Sequence, residues 1–120
     1  MLHHVSLEVK PGDVERSIEF FELLGFAHVA APEPIAIFVT WLEREATQVH
    51  LIHTPEAIAP PLGHPAVVAA DFDESVSRLR DAGFEVEPTD ALWGEPRAFA
   101  TMPGSQRVEL MAAPPPPAGD

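Results

Sequence analysis

Two stretches of this chain repeat one pattern. "LEVKPGDVERSIEFFELLGF", residues 7–26, and "AADFDESVSRLRDAGFEV", residues 69–86, each pass from an apolar alternating run through an acidic turn into a helical pattern. Both patterns stop at Gly-Phe, Gly25-Phe26 and Gly83-Phe84. A chain of 120 residues can bury one core but not two independent ones. Any duplication must therefore be of half-domains that share a core.

The flanking segments complete the unit. In "LHHVSLEV", residues 2–9, Val5, Leu7 and Val9 alternate with His4, Ser6 and Glu8, the pattern of a half-buried strand with a polar second face. Asp13 stands where a helix N-cap would, and Val14, Ile18, Phe21 and Leu24 share one helical face. Strand patterns follow near Ala27–Ala31, Ala36–Leu42 and Thr47–His53. After "TPEAIAPPLG" the cycle restarts with a strand in "HPAVVAA" and a capping-box spacing at Asp71 and Glu74. A helix burying Val76, Leu79 and Ala82 comes next, then strands near Glu85–Glu87, Arg97–Thr101 and Gln106–Met111. The expected organisation is a first βαβββ module over 1–53, a connector over 54–63 and a second module over 64–111. Residues 112–120, "AAPPPPAGD", form a disordered proline-rich tail in this reading.

Register supports duplication. His4 precedes Gly25 by 21 positions and His64 precedes Gly83 by 19; His4 precedes His50 by 46 and His64 precedes Glu109 by 45. By strand parity His4, His50, His64 and Glu109 all oppose the apolar faces that must cover the helices. They should project together from the other side of the sheet. Three imidazoles and a carboxylate buried without partners would cost roughly 2–7 kcal/mol each. One divalent cation, zinc, nickel, cobalt, iron or manganese, would satisfy all four.

Net charge is −12, with Lys10 the single lysine, so no basic stripe exists to engage nucleic acid or an anionic membrane. The acidity suits small-molecule partners, cationic ones included. There is no cysteine, which excludes a thiol nucleophile, cysteine-ligated zinc and disulfides. No signal-peptide pattern or membrane-length apolar run is present, and a cytoplasmic location is expected.

"LHHVSLEV…ERSIEFFELLGF…VHLI" followed by "GHPAVVAADFDESVSRLRDAGFEVEP…RVEL" resembles the vicinal oxygen chelate superfamily over residues 2–111. That superfamily includes glyoxalase I, methylmalonyl-CoA epimerase, fosfomycin resistance proteins, extradiol dioxygenases and bleomycin resistance proteins. The resemblance implies an α+β fold: two βαβββ modules whose mixed sheets curl around a central cleft, helices on the outer face. It implies metal ligands at His4, His50, His64 and Glu109, and a homodimer in which modules of two chains can combine.

His50 falls where glyoxalase I has a glutamate and the epimerase a glutamine. With one carboxylate instead of two, a divalent site would carry about +1. Glu109 is then assigned as both ligand and catalytic base, with proton transfer by His50 ranked second. Without His50, the remaining His4, His64 and Glu109 form a two-histidine, one-carboxylate triad suited to oxygen chemistry or thiol transfer. The absence of tyrosine weighs against the dioxygenase branch. The scarcity of basic residues, Arg97 and Arg107 being the strand candidates of the second half, weighs against the fosfomycin branch. Met102 also stands where the family often has an aspartate before the closing strand.

The expected activity is a metal-dependent lyase or isomerase acting on vicinal oxygens. The alternative is a bleomycin-resistance-like module that sequesters a cationic molecule. His3 is read as facing away from His4, His53 as a strand-end or surface residue, and His28 as unmatched. Trp41, Trp93, Phe38 and Phe99 are read as core or cleft wall.

Overall fold

The computed structural model describes residues 1–119; of the tail expected over 112–120, Asp120 lies outside the described residues. The first half contains β1 (His4–Val9), α1 (Val14–Glu22), β2 (Ala27–Val29), β3 (Val39–Arg44) and β4 (Thr47–His53). The second contains β5 (Ala66–Val68), α2 (Phe72–Asp81), β6 (Val86–Thr89), β7 (Arg97–Thr101) and β8 (Arg107–Met111). Each half forms a four-stranded mixed sheet, ordered β1-β4-β3-β2 and β5-β8-β7-β6. The first and last strands of each half pair in parallel, and the remaining neighbours are antiparallel. This is the expected α+β architecture of two βαβββ units.

Each sheet buries one face. Leu7, Val9, Leu42, Val49 and Leu51 of the first sheet join Val67, Val86, Ala98, Ala100, Val108 and Leu110 of the second in one core. Phe20 and Phe21 of α1 and Leu79 of α2 are fully buried there. Burying a side chain of that size contributes about 1.5–3 kcal/mol. Phe20 had no place in the expected stripe, yet it joins the halves: its ring meets Phe84 edge-on, centroids 5.2 Å apart. The Arg16 guanidinium lies over the same Phe84 ring at 3.8 Å and donates to the Ala82 carbonyl. Arg44 donates to Leu24 O at 3.1 Å and across the halves to Val68 O at 2.8 Å.

Both helices end as their Gly-Phe pairs predict. Gly25 and Gly83 take φ of 90°, which residues with a Cβ rarely adopt. The helix starts differ from expectation. Neither Asp13 nor Asp71 caps its helix through a side-chain hydrogen bond. A single 3-10 turn, Pro11–Asp13, leads into α1, and Ser17 Oγ donates back to Asp13 O at 2.7 Å. The Asp71 carboxylate instead accepts from Ser75 Oγ at 3.0 Å, and Glu74 pairs with Arg78 one turn later. The i,i+4 ion pair has taken the acid that a capping box would use.

His64 lies two residues ahead of β5 rather than within it, because Pro65 has no N–H to give a strand ladder. Before β8, Met102 is buried and the turn closes through Gly104 and Ser105, at φ 79° and 70°. Beyond β8, the Trp93 indole donates to Ala113 O at 3.0 Å, and Pro114–Pro117 are exposed without regular structure. Among the described residues no helix is long and apolar enough to cross a membrane.

Candidate functional site

Parity places the polar residues of β1 and β4 opposite the core. His4, Ser6 and Glu8 share the open face of the first sheet with Gln48, His50 and Ile52. Trp41 of β3 lies directly opposite His50 in the antiparallel ladder. The indole and the His50 imidazole are stacked, centroids 4.4 Å apart and planes 5° apart. The His4 ring stacks with His50 as well, at 3.9 Å and 20°.

Hydrogen bonds assign the His50 tautomer. Gln48 donates its amide to Glu43 Oε1 at 2.8 Å, so its carbonyl oxygen faces His50 Nε2 at 2.7 Å and accepts the ring proton. Nδ1 keeps its lone pair. Burial holds the His50 pKa below its ordinary value, and the neighbouring His4 and His3 push it the same way. His3 therefore belongs to this cluster, contrary to the expectation that it faces away. Its Nδ1 lies 3.0 Å from His4 Nδ1, and its ring meets His50 edge-on. It precedes β1, where strand parity no longer governs direction. His53 faces the other way, within 2.8 Å of Thr40 Oγ1.

The second sheet repeats the plan with different chemistry. Phe99 lies opposite Glu109 as Trp41 lies opposite His50. The His64 ring meets Phe99 edge-on at 4.9 Å. His64 Nδ1 donates to Leu62 O at 2.9 Å, which turns Nε2 toward Glu109 Oε1 at 3.1 Å. The other carboxylate oxygen of Glu109 accepts from Arg97 Nε at 2.9 Å. Burial alone would raise the Glu109 pKa, but the Arg97 and His64 hydrogen bonds and charges outweigh it and hold it below the ordinary value.

His4 is thus brought to His50, and His64 to Glu109. The two pairs sit on different sheets, and among the described residues no three histidine, aspartate or glutamate side chains are grouped closely enough to hold an ion. A cavity of about 410 Å³ opens between β1 and β5, lined by Val5, Leu7, Val49, Val67, Phe21 and His64 among others. Sequence reasoning missed Gln48 and Trp41 as partners of His50; both were legible as the same-face neighbour two residues back and the cross-strand neighbour.

Solved structures share this architecture. A glyoxalase family protein from Bacillus anthracis is similar at 22% identity and TM-score 0.81, over 92% of this chain and 93% of that one. The fosfomycin resistance protein FosX from Listeria monocytogenes matches at 16% identity and TM-score 0.76, over 95% and 91%. The oxidase ChaP-H2 matches at 21% identity and TM-score 0.72, over 99% and 98%. The fold is that of the vicinal oxygen chelate superfamily. No family model and no curated protein matches the sequence.

The divalent ion implied by a vicinal oxygen chelate fold can be tested against the donors present. A neutral His64 that donates from Nδ1 points an Nε2 lone pair at a carboxylate oxygen 3.1 Å away. Two acceptors facing each other at that distance require a cation, a proton or a metal. Donation of the other ring N–H to a backbone carbonyl is also the usual support of a ligating histidine. His64 and Glu109 fit half of a metal site. His50 Nδ1 and His4 Nε2, neither with a hydrogen-bond partner among the described residues, are the donor atoms left to the other half.

Proposed function

We propose that this chain is a divalent-metal-dependent lyase or isomerase of the glyoxalase I and epimerase kind, acting on a small substrate with adjacent oxygens. His4 and His50 of one chain and His64 and Glu109 of a second would complete each site in a homodimer. The observation that carries this reading is the His64–Glu109 contact, where the backbone bond to Leu62 turns Nε2 toward the carboxylate so that the two share one cation, a proton or a metal.

When bound, a divalent ion would supply electrophilic polarisation of the substrate oxygens. The chain's own groups would do the rest. Glu109 is ionised at neutral pH, held so by Arg97 and His64, and is therefore ready to accept a proton from a substrate carbon. Arg97, through its Nε bond to one carboxylate oxygen, fixes the direction of the other. Trp41 packs flat on His50 and shields it from water.

A second reading is a module that binds a small molecule without catalysis. The Arg97–Glu109 ion pair favours it, because that carboxylate is already neutralised without a metal. Metal analysis of the purified protein separates the two. The enzyme reading expects about one divalent ion per site, lost in His64→Ala and in Glu109→Ala. Protein that takes up no zinc, nickel, cobalt, iron or manganese at neutral pH would leave only the binding module.

A further inference from the structure

The basic side chains are few, and most are spoken for. Arg16 and Arg44 tie the two halves together through backbone carbonyls. Arg78 pairs with Glu74, Arg80 donates to Val86 O, and Arg97 is shared between Glu109 and Asp90 O. Arg107 differs. It is half-buried and has neither a carboxylate nor a hydrogen-bond partner among the described residues. Its guanidinium lies over the Phe99 ring, 4.6 Å from the centroid.

That placement is specific. Arg107 and Glu109 are alternate residues of β8 and so emerge on the same open face, about 7 Å apart along the strand. Phe99 stands between the guanidinium and His64, which meets the same ring edge-on. A guanidinium stacked on an aromatic ring keeps its N–H edge free, and that edge matches the paired oxygens of a carboxylate or phosphate. Elsewhere this protein, with net charge −12, repels anions. Here Arg107, with no acid paired to it among the described residues, lies beside the candidate reacting pair.

We infer that Arg107 is a substrate-binding residue and that the substrate carries an oxyanion, carboxylate or phosphate-like, one strand-repeat away from the groups that react at Glu109. The inference rests on the proposed site at His64 and Glu109, and it names the substrate class of that site. It also turns the binding-module alternative away from cationic ligands. Arg107 would select and orient; Arg97, already engaged by Glu109, would not.

The test uses metal-free protein, so that its outcome does not depend on metal uptake. Arginine Nε–Hε signals are followed by nitrogen-15 NMR during titration with malonate and, separately, with inorganic phosphate. The Arg107 signal should shift on saturation, and Arg107→Gln should weaken binding by about tenfold or more. Arg107→Lys should recover part of the loss, while Arg78→Gln should bind as wild type. A response to malonate alone assigns a carboxylate, and a response to phosphate alone assigns a phosphonate or phosphate. Unchanged affinity in Arg107→Gln, or no Arg107 response to either anion, overturns the inference. Failure to bind metal in the separate analysis would overturn the enzyme reading while leaving this result standing.

Discussion

The Trp41 indole covers one face of the His50 imidazole with the two planes 5° apart, and His4 is stacked against the same imidazole. A neutral ring suits that position, since burial and two neighbouring histidines all oppose a positive charge on it. An imidazolium beside an indole quenches its emission, so Trp41 reports the state of His50. In a Trp93→Phe background, fluorescence should fall on acidification with a midpoint below the ordinary 6.5 of histidine. His50→Gln should abolish the step. A midpoint at or above 6.5 would mean that His50 is not held neutral.

The same shift sets a slope in stability. The folded His50 pKa is depressed, so between that value and the unfolded value of about 6.5 the unfolded chain binds the extra proton. Stability should therefore fall as pH drops below about 6.5 and level off under the folded pKa. His50→Gln should flatten that part of the curve, measured by urea unfolding at several pH values.

Arg97 and Glu109 form a mostly buried ion pair, each side chain about one-tenth exposed. Removing one partner leaves the other charge desolvated, a loss of about 3 kcal/mol. Arg97→Gln should show that loss near neutral pH and a smaller one in acid, where Glu109 is protonated in both proteins. The sign follows from a depressed carboxylate pKa: the stabilisation is present above the unfolded value and disappears as pH falls through the folded one. Denaturant midpoints at two pH values check it.

A site shared between chains can be rescued by mixing. In the proposed homodimer, His4→Ala and His64→Ala should each break both sites. A heterodimer of the two has one intact site and one doubly broken one, so an equimolar, freely exchanging mixture should recover about a quarter of wild-type metal sites. A site closed within one chain would recover none.

Phe20 and Phe84 lock the halves into one core. Phe20→Ala should cost about 3–5 kcal/mol and preserve a single cooperative unfolding transition. Two separated transitions in the wild-type protein would show that the halves fold independently.

Much of this was legible along the chain. Alternation in "VSLEV" and "VHLI" put His4 and His50 on the open face, because side chains on a strand alternate whatever they later touch. Gly25 and Gly83 marked both helix ends because the left-handed turn there penalises any Cβ. What parity cannot supply is distance. It set His4, His50 and Glu109 opposite the core, while His64 lies outside β5 beyond its reach. The His4–His50 and His64–Glu109 pairs belong to separate halves, a separation that depends on how the sheets are arranged about the shared core.

The linear sequence determined the duplicated βαβββ order, the two faces of each sheet and the residues that point away from the core, since each follows from local backbone geometry. Only the folded chain decided that Trp41 would cover His50, that Arg97 would claim Glu109 and that Arg107 would lie over Phe99 with no acid paired to it among the described residues. These are choices among partners far apart in sequence, settled by packing rather than by periodicity.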